Sequence, residues 1–191
     1  ALEAAAWVLE EDVFPLALEP DLLPVWLLAA QHGRAGAALV ERLALGYGAV
    51  RVHSFGAFRL LAGGELHLPT AKEGWLLLWL WLRPERDPLE LFADAKRPRK
   101  RLQLAVHHLR ARLGEEWVRS SPTGYSAAPL PGAWWDAALL RAAAAAAQQV
   151  GQSPVLSSFV RHLYRGEFAP GGPFDAERAR FARIFAELGG D

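Results

Sequence analysis

The chain contains neither cysteine nor methionine, and only three of its 191 residues are tyrosine. Without thiols, disulfide cross-links, cysteine–metal sites and thiol redox chemistry are excluded. Long apolar runs are missing too. The most hydrophobic stretch, residues 75–82, is eight residues long, against the roughly 20 that a bilayer-spanning helix requires. No basic segment leads into an apolar run with a small-residue cleavage site, so no signal peptide is read. The expectation is a soluble cytoplasmic protein with no membrane partner. The chain opens at Ala1 and lacks methionine, which reads as a piece of something longer. Net charge is also absent, with 21 basic and 21 acidic residues, and this would ordinarily argue against a polyanionic partner. The total hides a partition. Residues 1–50 carry two arginines against seven acids, residues 51–128 thirteen cations against eight acids, and residues 129–191 six of each. Local field steers a charged ligand more than the total does, and the middle segment stands at net +5.

The cations are densest in residues 96–114, KRPRKRLQLAVHHLRARLG, which contain no acid. At 3.6 residues per turn, Leu102, Val106, Leu109 and Leu113 fall on one stripe, and Lys100, Gln103, His107 and Arg110 on the adjacent one. One side is suited to packing and the other to a negatively charged partner. Pro98 suits the first turn of such a helix, and Gly114 is expected to end it in a left-handed cap. His108 and Arg112 lie off the charged stripe and are expected at the surface or against a neighbouring segment.

Residues 1–48 read as helical: 1–9 are rich in strong helix formers, and 22–32 and 35–45 form two helices broken at Gly33, with Asp21 as a candidate N-cap. From Val50 the pattern becomes short and alternating. Val50 and Val52, then Phe58 and Leu60, then Leu66 and Leu68 suggest three antiparallel strands, with turns at Gly56 and Gly63–Gly64. Thr70 and Glu73 have capping-box spacing ahead of a helix over 71–82. That helix is apolar nearly all round and so buried on most faces; its Trp75, Trp79 and Trp81 are expected in the core. Asp87, Pro88 and Glu90 signal a second, short helix. Residues 117–120 and 125–128 flank a four-residue turn and read as a hairpin. The fold class is α+β in three segments: helical 1–48, mixed 49–129 and helical 130–191. Helix, short helix, basic helix and two-stranded wing is the order of a winged helix-turn-helix, whose last helix enters the DNA major groove.

With VRVHSFGAFRLLAGGELHLP, RLQLAVHHLRARLGEEW and TGYSAAP, residues 50–128 resemble the DNA-binding domain of the SARP-type bacterial regulators, a branch of the OmpR-like winged helices. The resemblance implies a sequence-specific transcription regulator, commonly an activator. The residues after Trp134 resemble the start of the helical bacterial transcriptional activator domain (BTAD), with DAALLRAAAAAAQQVG as its first helix and FDAERARFARIFAEL as a later one. Residues 1–48 resemble the end of a TPR-like helical repeat, as found before the DNA-binding domain of large ATP-dependent regulators. One departure stands out. Between the buried and short helices the family usually has a longer connection with an extra strand, whereas here RPERDP is all there is, so that strand is expected to be missing.

DNA-backbone contacts call for cations and hydroxyl donors, and the candidates are Lys72, Arg97, Arg99, Arg101, Arg119, Ser121 and Thr123. Base reading falls to Lys100, Gln103, His107 and Arg110, since Gln suits adenine and Arg or Lys suits guanine. Double-stranded DNA is the expected partner, with RNA polymerase and a second copy of the chain as further ones, and no cofactor is expected. Catalysis is not expected. The six histidines show no metal-ligating spacing, His107 and His108 diverge by about 100° on a helix, and no phosphate-binding glycine loop occurs. The rival reading is a protein-interaction module whose winged helix no longer binds DNA, with the acidic N-terminal part lying on the basic helix as a built-in competitor.

Overall fold

The computed structural model describes residues 22–32, 34–46, 50–121, 124–127 and 133–189. Within them the protein is mixed α+β, with seven α-helices, a four-stranded sheet and a separate two-stranded hairpin. The helix expected over 1–9 and the Asp21 cap lie outside the described residues.

Helices α1 (Leu23–His32) and α2 (Arg34–Leu45) flank the expected break at Gly33. A Cβ on Gly36 would run into the backbone of Ala29 and Ala30, so this close helix crossing requires glycine. Leu23, Trp26 and Leu27 of α1 and Leu39, Val40 and Leu43 of α2 are buried. Strands β1 (Val50–His53), β2 (Arg59–Ala62) and β3 (Glu65–His67) follow as an antiparallel meander, with Val52 opposite Leu60 and Leu60 opposite His67.

Helix α3 (Ala71–Leu82) starts with the expected capping box. The Thr70 hydroxyl accepts from the Glu73 N–H, and the Glu73 carboxylate accepts from the Thr70 N–H at 2.8 Å. Residues Leu76, Leu77, Leu78, Trp79 and Leu80 are all buried, which fits an apolar surface on nearly every side. Beyond α3, residues 83–87 contain no strand. The Asp87 carboxylate caps a 3-10 turn, Pro88–Phe92, at 2.9 Å from the Leu89 nitrogen. The basic helix α4 (Pro98–Leu113), a second 3-10 turn (Glu115–Trp117) and a hairpin of β4 (Arg119–Ser121) and β5 (Gly124–Ser126) complete this part. Among the described residues the hairpin forms a separate sheet of two strands, and no strand lies in the short RPERDP connection.

The chain then returns to the first sheet. Strand β6 (Trp134–Trp135) runs parallel to β1, with Trp134 beside Arg51 and Trp135 beside Val52, giving the order β3-β2-β1-β6. Trp135 also meets Trp81 of α3 at 5.3 Å between ring centres. Helices α5 (Asp136–Val150), α6 (Pro154–Leu163) and α7 (Asp175–Leu188) follow. Helix α1 packs on α5 and α6, and α2 packs on α6, so the helices before and after the sheet form one helical body. Trp134 pins this body to the sheet: its indole N–H donates to the Leu43 carbonyl, and its ring lies 4.8 Å from that of His53. At the far end of α3, Arg83 lies over Trp79 and holds Glu177 of α7 through two bonds of 2.9 and 2.6 Å.

A buried carboxylate joins the sheet to the tail. Asp136, at the start of α5, accepts the backbone N–H groups of Ser54 (2.9 and 3.0 Å), Phe55 (3.3 Å) and Ala137 (2.7 Å), together with the Ser54 hydroxyl. Ser54 in turn accepts the Trp135 indole N–H at 3.1 Å. No helix among the described residues is long and apolar enough to cross a membrane.

Candidate nucleic-acid interface

Helix α4 buries Leu102, Ala105, Val106 and Leu109, and Leu113 is half-buried. Gly114 ends it with φ +104 and ψ 158, its N–H 2.9 Å from the Arg110 carbonyl. The positive φ demands glycine as anticipated, but ψ is extended, so the cap differs from the expected left-handed form.

Two side chains off the charged stripe reach inward. His108 Nδ1 lies 2.9 Å from Glu73 Oε1, and Arg112 donates to Glu73 Oε2 at 3.0 Å. Glu73 itself is only 3% exposed. Burial resists its ionisation, but hydrogen bonds from Thr70 and His108 and the Arg112 charge prevail and hold its carboxyl below the usual range. One carboxylate thus caps α3 and fixes α4 against it.

The outward side of α4 is open. Arg97, Arg99, Lys100, Arg101, Gln103 and His107 are all exposed, and none of the four cations forms an ion pair among the described residues. Glu90 shares a surface cavity with Arg97, Arg99 and Lys100, yet its carboxylate is turned to Arg86 at 3.7 Å.

Other predicted contacts are already engaged. Arg110 is half-buried; its Nε donates to the Val118 carbonyl at 2.7 Å, its Nη2 to the Ser120 hydroxyl at 3.1 Å, and its guanidinium stands 5.8 Å from the Tyr125 ring. It ties the hairpin to the helix. Replacing it with alanine is expected to loosen the hairpin by about 2 kcal/mol, seen as faster amide exchange across β4 and β5 while the amides of α4 stay protected. Lys72 pairs with Asp94 at 3.0 Å and lies 5.7 Å from the Phe92 ring. Arg119 is exposed on β4 opposite Ser126, Ser121 is half-buried opposite Gly124, and Thr123 lies outside the described residues.

The structure therefore leaves Arg97, Arg99, Lys100, Arg101, Gln103 and His107 exposed, with Arg97, Arg99 and Lys100 around one surface cavity and Arg101 beside another, and it draws Arg110 and Lys72 into intramolecular contacts. It also exposes two α4 residues that the sequence reading passed over, Leu104 and Ala111. Six of the seven acids in residues 1–50 fall at positions 3–21, outside the described residues. The described part of that segment, α1 and α2, packs on α5 and α6, whereas α4 packs on α3 and the two 3-10 turns. No cluster of metal-ligating side chains occurs among the described residues. Comparison with known proteins finds no matching family model and no matching curated protein.

Proposed function

We propose that the chain is a sequence-specific DNA-binding transcription regulator, and an activator in keeping with its resemblance to the SARP-type, OmpR-like regulators. In this reading α3, the 3-10 turn, α4 and the β4–β5 hairpin act as a winged helix-turn-helix, with α4 in the major groove and the hairpin along the backbone. One observation carries it: Arg97, Arg99, Lys100 and Arg101 project from the head of an acid-free helix with no ion-pair partner among the described residues. Cations clustered this way raise the local potential, and duplex DNA offers one negative charge per roughly 1.7 Å of axis. Lys100, Gln103 and His107 read bases, Arg119 follows the backbone, and Lys72 joins by exchanging Asp94 for a phosphate. The terminal helices, TPR-like at the N-terminal end and BTAD-like over α5 to α7, supply the surface for RNA polymerase or a second copy, within the cytoplasm.

Fluorescence anisotropy with a mixed-sequence duplex tests this. If about six phosphates are neutralised, affinity falls by about a thousandfold between about 50 and 200 mM salt. The Arg99→Ala/Lys100→Ala/Arg101→Ala variant should bind far more weakly, with a log–log salt slope shallower by roughly three. Absence of salt-dependent binding to any duplex at the lower salt would overturn the proposal.

A further inference from the structure

Once Arg110 is drawn to Val118 and Ser120, the outward line of α4 is no longer the one that periodicity alone selects. It runs at spacings of four, three and four residues through Lys100, Leu104, His107 and Ala111, all of them exposed. Leu104 sits in the middle of this line. It is 43% exposed, the one exposed large apolar side chain on α3 or α4. Helical spacing sets Arg101 and His108 on its α3 side, where they and Leu104 line a surface cavity with Lys72 and the Lys72-paired Asp94, and sets Gln103 on its hairpin side, so an aliphatic group is presented among cationic and hydrogen-bonding side chains.

We infer that Leu104 is a specificity-determining residue that packs against the C5-methyl group of a thymine in the major groove. The inference rests on the DNA-binding reading above. Every base pair offers donors and acceptors in that groove, and thymine adds the methyl as an apolar feature. Against a guanine, adenine or cytosine edge, a leucine strips water from polar groups without replacing their hydrogen bonds. Against the methyl, both partners lose apolar surface to water, which is favourable. Lys100 lies about 6 Å before Leu104 along the helix axis and His107 about 4.5 Å after it, one to two base steps in either direction. The bound site therefore holds a thymine between two hydrogen-bonded positions, with guanine preferred on the Lys100 side.

The test uses the full chain. Sites are selected from a randomised duplex library, and each thymine of the selected site is then replaced singly by deoxyuridine, which removes only the methyl. At one position the unmodified protein should bind about fourfold more weakly, the effect of one exposed methyl. Leu104→Ala should show no penalty there, should bind the thymine site about tenfold more weakly than the unmodified protein, and should keep the same salt slope. Its thermal melt checks that this surface change leaves the fold intact, and Leu104→Gln should shift the preferred base at the same position. Equal binding of thymine and uracil duplexes at every position overturns the inference while leaving DNA binding in place. So does a uracil penalty that persists in Leu104→Ala. If no duplex is enriched and none binds in a salt-dependent way, the DNA-binding reading itself fails, and the inference fails with it.

Discussion

Replacing Asp136 with alanine is expected to lower the unfolding free energy by about 4 kcal/mol, measured by urea denaturation near neutral pH. The carboxylate is 2% exposed and takes three backbone N–H groups and the Ser54 hydroxyl. Alanine would leave those donors unpaired in a dry site, and an unmade buried hydrogen bond costs far more than a made one contributes. Such a loss takes a large share of the roughly 5–15 kcal/mol that holds a domain together. The same group gives a pH signature. Burial pushes the Asp136 carboxyl up to about 6 from its ordinary 3.8, against the pull of the Ser54, Phe55 and Ala137 donors. A folded-state value above the unfolded one means that the folded protein holds the proton longer. The associated stability, about 3 kcal/mol, is fully present below about pH 4 and is lost as the pH rises through about 6. Asp136→Asn cannot titrate, so the difference in stability between it and the unmodified protein should vary with pH across that window. A constant difference would contradict the assignment.

Glu73→Ala is expected to cost about 3 kcal/mol and to weaken the proposed DNA binding as well, since His108 and Arg112 both close on this carboxylate from α4. Without it, α3 loses half of its capping box and α4 loses the ligand that sets its approach to α3. Glu73→Gln separates the two roles, because its amide oxygen can still accept from Thr70 while the charge that Arg112 meets is gone. The alanine variant should therefore be the less stable of the two in a thermal melt. The pH dependence has the opposite sign to that of Asp136. The Glu73 carboxyl is held below its ordinary 4.5, so its contribution is complete above the ordinary carboxylate range and is lost as the pH falls through the folded value. Urea titrations at acid pH should show Glu73→Ala approaching the unmodified protein.

The different fates of these groups show what could be read from the sequence. The Thr70–Glu73 spacing announces a cap, since both partners lie within one turn. The second task of Glu73 depends on residues 35 and 39 positions away, beyond the reach of any local pattern. The buried character of α3 is legible because apolar residues on every side leave no face for water. Strand β6 is not legible, because two residues cannot establish an alternation. Its tryptophans become strand only by pairing with β1, more than eighty residues earlier. Helix α6 did leave a signal, Ser153 capping with Pro154 in the first turn, and the reading passed over it. On α4, periodicity separates the packed face from the exposed one. The exact outward line is set by the hairpin capturing Arg110 on one flank and Glu73 capturing His108 and Arg112 on the other, both tertiary events.

The packing of α1 and α2 against α5 and α6 sets an order of events during synthesis. About ninety residues separate the end of α2 from the start of α5, so at ordinary elongation rates of about 5–20 residues per second the first helical pair waits roughly 5 to 20 seconds for its partners. Throughout that interval the side chains of Trp26, Leu27, Leu39 and Leu43, buried in the finished fold, lack part of their cover. A chain held on the ribosome between the hairpin and α6 is therefore expected to expose more apolar helix surface than the finished fold.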